Sequence, residues 1–78
     1  MFIPIKPHKK FVDHNGEERI PVATLENRSP HKLCHVAVVD DDCYVPFLEM
    51  GDLGFVETFY IFPELHAVLA TLPSLGAE

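Results

Sequence analysis

The sequence predicts an α+β fold: a small antiparallel sheet, or a partly open SH3-like barrel, of about five strands in two hairpins, packed against one C-terminal helix. Three observations carry this. Leu33 to Leu48 reads LCHVAVVDDDCYVPFL, two strand-like runs on either side of an acidic triplet, which is the pattern of a β-hairpin. Asn15-Gly16 lies between two further short runs, and this dipeptide is the strongest local hairpin signal. Leu65, Val68, Leu69 and Leu72 recur at i, i+3, i+4 and i+7 after Pro63, one apolar stripe of a helix.

With 78 residues the chain reads as a single domain, 1–78. A chain of this size buries only about 60–65% of its unfolded surface, so each apolar side chain matters to stability. The hydrophobic share of 47% is that of a folded chain rather than a disordered one. No stretch approaches the roughly 18 apolar residues that span a bilayer. The opening MFIPIKPHKK places its charge after its apolar part, unlike a signal peptide, so the expected compartment is the cytoplasm.

Taken in order, Phe2-Ile3-Pro4-Ile5 is a first strand, confined to a sheet edge by Pro4. Lys6-Pro7-His8-Lys9-Lys10 reads as an edge protected by lysines. Phe11-Val12-Asp13 enters the Asn-Gly turn, and the return strand spans about Glu18 to Leu25, with Ile20 and Val22 in its body and Pro21 marking an edge or a bulge. Glu26 to Lys32 is a polar connector, in which Ser29-Pro30 could cap one helical turn.

The main hairpin follows, Leu33–Val39 and Cys43–Leu48. Both faces of its first strand are apolar, so both should be covered. The absence of glycine around Asp40, Asp41 and Asp42 favours a loop of three residues or more. Pro46 makes the second strand an edge, or ends it. Glu49 to Gly54 is a loop, and Phe55 to Phe62 reads as a last strand. Pro63 to Leu72 is the helix, begun by proline and Glu64 and ended by Pro73, with Ser74 to Glu78 expected to fray. There are no internal repeats.

The charge layout is uneven. All six cations, Lys6, Lys9, Lys10, Arg19, Arg28 and Lys32, lie in the first 32 residues, where four acids leave that segment near +2. The remaining 46 residues carry eight acids and no Lys or Arg, and the whole chain is at −6. Such a one-sign field repels nucleic acid and attracts basic protein surfaces. Asp40, Asp41, Asp42, Glu49, Asp52 and Glu57 are the candidate partner-binding residues, and solubility charge is the plainer account of them. In the last strand, Phe55, Phe59 and Ile61 share a face and form a candidate oligomer surface if the core does not take them.

Cys34 and Cys43 are the only cysteines. If Val39 pairs with Cys43, Cys34 lies opposite Leu48, about 17 Å from Cys43 along the strand. A disulfide reaches only about 4.4–6.8 Å between Cα atoms, so free thiols are expected. His31, Cys34 and His35 are the one cluster with metal-ligand chemistry, but a structural zinc site wants four ligands in close pairs. A strand would also send Cys34 and His35 to opposite faces, which opposes both ligation and a thiol–imidazole pair. Asp40-x-Asp42 lacks the spacing of a calcium loop. No phosphate-binding glycine loop, G-x-S-x-G or H-E-x-x-H is present. No catalysis, cofactor or metal is expected.

Phe11-Val12-Asp13, Arg19-Ile20-Pro21-Val22, and Pro30-His31-Lys32-Leu33-Cys34 leading through an acidic turn to Tyr44 resemble segments of the gyrase-poisoning toxins of the Ccd toxin–antitoxin type, over roughly half the chain. The resemblance implies a small SH3-like barrel of antiparallel strands with a C-terminal helix. In that family the end of the final helix, with a Trp and a terminal Gly-Ile, touches gyrase. This chain has no Trp and ends Leu75-Gly76-Ala77-Glu78.

The leading expectation is a small acidic, non-catalytic interaction or inhibitor protein. It would dock a negatively charged face on a basic surface of a partner, a nucleic-acid-handling enzyme or a phage–host defence complex, without binding nucleic acid or membrane itself. The alternatives are a toxin-like homodimer using the aromatic face and a small metal-binding module.

Overall fold

The computed structural model describes residues 1–75. Seven strands and one helix follow in order: β1 (Phe2–Ile5), β2 (Phe11–Val12), β3 (Glu18–Arg19), β4 (Pro21–Arg28), β5 (His31–Val39), β6 (Cys43–Glu49), β7 (Phe55–Glu57) and α1 (Pro63–Thr71), with a short 3-10 turn at Gly51–Leu53. Five strands form one antiparallel sheet in the order β1-β4-β5-β6-β7, and β2 pairs with β3 in a separate ribbon. The fold is α+β. The sheet stays open and does not close into a barrel, the alternative that the sequence left standing. The ribbon meets its β7 edge at the bridge from Asp13 to Phe55 and through the Phe11 ring against Phe55.

The central hairpin forms in the expected register, with Val39 opposite Cys43 and Cys34 opposite Leu48. Both cysteines are free. Cys34, His35, Val36 and Ala37 are all buried, because each face of β5 has its own cover. On one face Leu25, Cys34 and Val36 pack with Phe62 and Leu65, flanked by Val68, Leu69 and Leu72. On the other, Ala37 and Phe47 pack with Phe11 from the ribbon, flanked by Phe55. The two-residue alternation of a strand divides its side chains between these two cores.

β1 is an edge strand, as Pro4 requires, and pairs only with β4. The Asn15-Gly16 hairpin forms: the Asp13 N–H donates to the Glu17 carbonyl and the Gly16 N–H to the Asp13 carbonyl. Gly16 sits at φ 83°, the left-handed position of such a loop, which glycine adopts without steric cost. A bulge falls between Pro21 and Ala23.

Several expectations need correction. The return strand is broken at Ile20: β3 belongs to the ribbon and β4 to the main sheet. Ile20 and Val22 are therefore exposed. The connector is not helical, since β4 and β5 pair as far as Arg28 and His31 and leave a two-residue turn at Ser29-Pro30. Continued pairing satisfies backbone groups that one helical turn would leave open.

Pro46 does not end β6, and β6 is not an edge strand. It lies between β5 and β7. What stops there is the ladder on the β7 side: β7 pairs with Phe47, Leu48 and Glu49, and a last bond runs from the Thr58 N–H to the Pro46 carbonyl at 3.0 Å. Proline offers no N–H in return, so the last strand is three residues long rather than eight, and Thr58 to Phe62 leaves the sheet edge.

α1 ends at Thr71, one residue short of the expected bound. Its stripe packs as predicted, with Leu65 fully buried and Val68, Leu69 and Leu72 half-buried against the same core. Ser74 and Leu75 are described and are not helical, and the remainder of the expected frayed end lies outside the described residues.

Candidate interaction surface

The acidic triplet forms the tip of the β5–β6 hairpin. Asp40 and Asp41 adopt positive φ, 57° and 63°, and the Asp42 N–H donates to the Val39 carbonyl at 3.3 Å. Aspartate tolerates this left-handed geometry better than most residues, though at a cost on the order of 1 kcal/mol each. Three residues therefore separate the paired Val39 and Cys43, and all three carboxylates are exposed.

The tip is predominantly acidic, and Arg19 is the cation whose field reaches it, at Asp40. The Cys43 thiol donates to the Val39 carbonyl at 3.5 Å and is held above its usual pKa, first by the neighbouring Asp42 carboxylate, then by slight burial, and further by the charges of Asp40 and Glu57. Glu57 therefore belongs to the tip's electrostatic surroundings. Helix α1 ends against the same region: Asp42, Cys43 and Tyr44 line one groove together with Leu69, Leu72 and Leu75. The Tyr44 hydroxyl donates to the carbonyl of Pro73, joining hairpin to helix end. The last turn of α1 carries no basic residue, so its negative dipole end adds to the acidic field.

The six predicted acids are not gathered on one patch. Glu49 stands at the opposite end of β6, about 20 Å from the tip at the usual rise per residue. Its carboxylate accepts the Leu33 N–H at 3.0 Å, a structural task. Asp52 lies in the 3-10 turn beside it. Asp40, Asp41 and Asp42 remain as the tip group, and Glu57 lies opposite Phe47, four residues along β6 from Cys43.

The aromatic face is likewise divided. Phe55 is drawn toward the second core, its ring 5.4 Å from Phe11 and 4.7 Å from His35 between centroids. Phe59 is 90% exposed, and Tyr60 and Ile61 are 68% and 42% exposed. What stays exposed of the expected face is Phe59 and Ile61, now beside Tyr60 in the segment that leaves the sheet after Glu57.

His31, Cys34 and His35 are not brought together. His31 is exposed, with Nε2 3.2 Å from Glu26 Oε2. Cys34 lies in the helix-side core, where burial pushes its thiol up to about 12. His35 is buried on the ribbon side, against Phe11.

Two polar constellations escaped the sequence reading. His35 is hydrogen-bonded to the Thr24 hydroxyl at 2.9 Å and packs beside His8, with ring centroids 5.1 Å apart. Burial, and then the charge of His8, lowers its pKa to about 4. Asp13 is buried and receives Arg19 Nε at 2.7 Å as well as the N–H groups of Asn15 and Glu17. Burial alone would raise its pKa, but these four interactions with Arg19 and the backbone bring it below the usual value. An Asp followed two residues later by Asn-Gly was the available signal for the second site; nothing local marked the first.

Comparison with protein-family models, curated proteins and solved structures gives no match.

Proposed function

We propose that this chain is a small non-catalytic interaction protein, an inhibitor by occlusion, which docks its acidic hairpin tip on a basic surface of a partner protein. The observation that carries the reading is the tip itself. Three consecutive exposed carboxylates stand at the end of a hairpin, within a 46-residue stretch that has no Lys or Arg. No Lys or Arg on that stretch pairs with them, and Arg19, whose field reaches Asp40, is already paired with Asp13 and Glu17, so the tip attracts cations on another molecule. Nucleic-acid-handling enzymes present such cations in their binding grooves. Acidic inhibitors that phages direct against host defence or replication enzymes are the kind of protein this reading fits.

The test is capture from a bacterial lysate at low and at high salt, with the wild-type chain beside a D40N/D41N/D42N variant. A basic nucleic-acid-binding protein held by the wild type at low salt, and lost both with the variant and at high salt, supports the reading. Equal capture by the two chains removes it.

A second reading rests on Phe59, which is 90% exposed beside the exposed Tyr60 and Ile61. It makes this segment the contact of a homodimer. Sedimentation at micromolar concentration decides: a monomer that stays a monomer ends it.

A further inference from the structure

The groove where α1 meets the hairpin tip has a volume of about 530 Å³ and is lined by Tyr44, Leu69, Leu72 and Leu75, with Asp42 and Cys43 beside them. Tyr44, Leu69 and Leu72 also flank the helix-side core, so this wall is set by the fold. Leu75 is half-buried and lies beyond the helix. Of the residues that line it only Asp42 is charged, and the last turn of α1 across from it carries no basic residue. We infer that this groove receives a short basic segment of a partner protein, seating one large apolar side chain against Tyr44, Leu72 and Leu75 while a neighbouring Lys or Arg meets Asp42 and the helix end.

The inference rests on the acidic docking reading and refines it: the charges orient the partner and the groove selects the sequence. An apolar pocket beside the exposed Asp42 carboxylate disfavours an acidic segment and gains little from a purely polar one. Charge complementarity thus fixes the occupant as cationic, and the leucine lining fixes it as apolar at one position. Burying one leucine-sized side chain corresponds to roughly a tenfold gain in affinity or more.

The probes are three synthetic peptides, Lys-Leu-Lys-Phe-Lys, Lys-Ser-Lys-Ser-Lys and Glu-Leu-Glu-Phe-Glu, titrated into ¹⁵N-labelled full-length protein. The first is expected to shift the amide signals of Tyr44, Leu72 and Leu75 and to bind about tenfold tighter than the second, with the third inert. L75S, placed outside the two cores, should abolish the difference between the first two peptides and leave the second unchanged. D42N should weaken both.

Equal binding of the two basic peptides at the tip alone overturns the groove and leaves the acidic docking reading standing. No shift with either basic peptide overturns both. Groove signals that move with protein concentration in the absence of peptide assign the site to a second copy. Tyr44 and Leu69 signals that move when residues 76–78 are deleted assign it to the segment that follows Leu75. Either result overturns the partner segment.

Discussion

Thr24 and His35 stand opposite one another across β4 and β5, and their side chains are hydrogen-bonded at 2.9 Å inside the sheet's ribbon-side core. His35 is 1% exposed. A histidine enclosed this way is kept neutral, which ties the stability of the fold to pH.

The pKa of His35 falls from 6.5 to about 4 on folding, by burial first and the charge of His8 second. Between those values the unfolded chain binds more protons than the folded one. The contribution of neutral His35 is therefore complete above about pH 6.5 and lost as pH falls toward 4, on the order of 3 kcal/mol in all. Urea unfolding should show the midpoint dropping between pH 6.5 and 4.5. The double variant T24V/H35F, which removes both polar partners together, should lose that slope. An unchanged slope would mean that His35 is not the titrating group.

Asp13 organises the Asn-Gly hairpin through Arg19 and two backbone N–H groups. Removing the carboxylate takes the acceptor from two backbone N–H groups and from Arg19 Nε, while Glu17 still pairs with Arg19 Nη2 at 2.7 Å, so D13A should cost about 2 kcal/mol. Because the carboxylate pKa is depressed, its contribution is present above about pH 4 and lost below it, a window distinct from that of His35. A cost under about 0.5 kcal/mol would show that the loop holds without it.

The helix stripe is not uniform. Leu65 is fully buried and Leu69 only half-buried. L65A should cost about 2–5 kcal/mol and L69A less than L65A, about 1–2 kcal/mol. The reverse order in urea unfolding would place α1 in a different rotation on the sheet.

The two thiols should react differently. Cys34 is inaccessible and its pKa is pushed up to about 12 by burial. Cys43 is exposed but held protonated, chiefly by Asp42. Iodoacetamide at pH 8 should modify Cys43 slowly and Cys34 only on unfolding, and D42N should speed modification of Cys43. A D42N rate equal to wild type would separate Asp42 from the thiol.

The local signals transferred well where a strand's alternation decided the outcome. The register of β5 and β6 and the division of Cys34 from His35 were legible because opposite faces of a strand need only the sequence and a pairing point. The Phe55–Phe62 run failed for a non-local reason. Its alternation is strand-like, yet the partner that would extend its ladder is Pro46, which has no N–H to give. The acidic site was legible as composition. Its separation into a tip group and Glu49 was not, because Glu49 is claimed by the Leu33 N–H from another strand.

The sequence by itself determined the α+β class, the central hairpin with its register, the helix stripe and the one-sign C-terminal field. Each depends on residues near one another in the chain, through side-chain alternation, helical period and turn chemistry. Only the tertiary structure decided that the sheet stays open, that the return strand splits at Ile20, that Thr24 meets His35, and that α1 ends beside the acidic tip. Those outcomes depend on which elements cover which face, and burial is shared among distant segments in a way that no local pattern records.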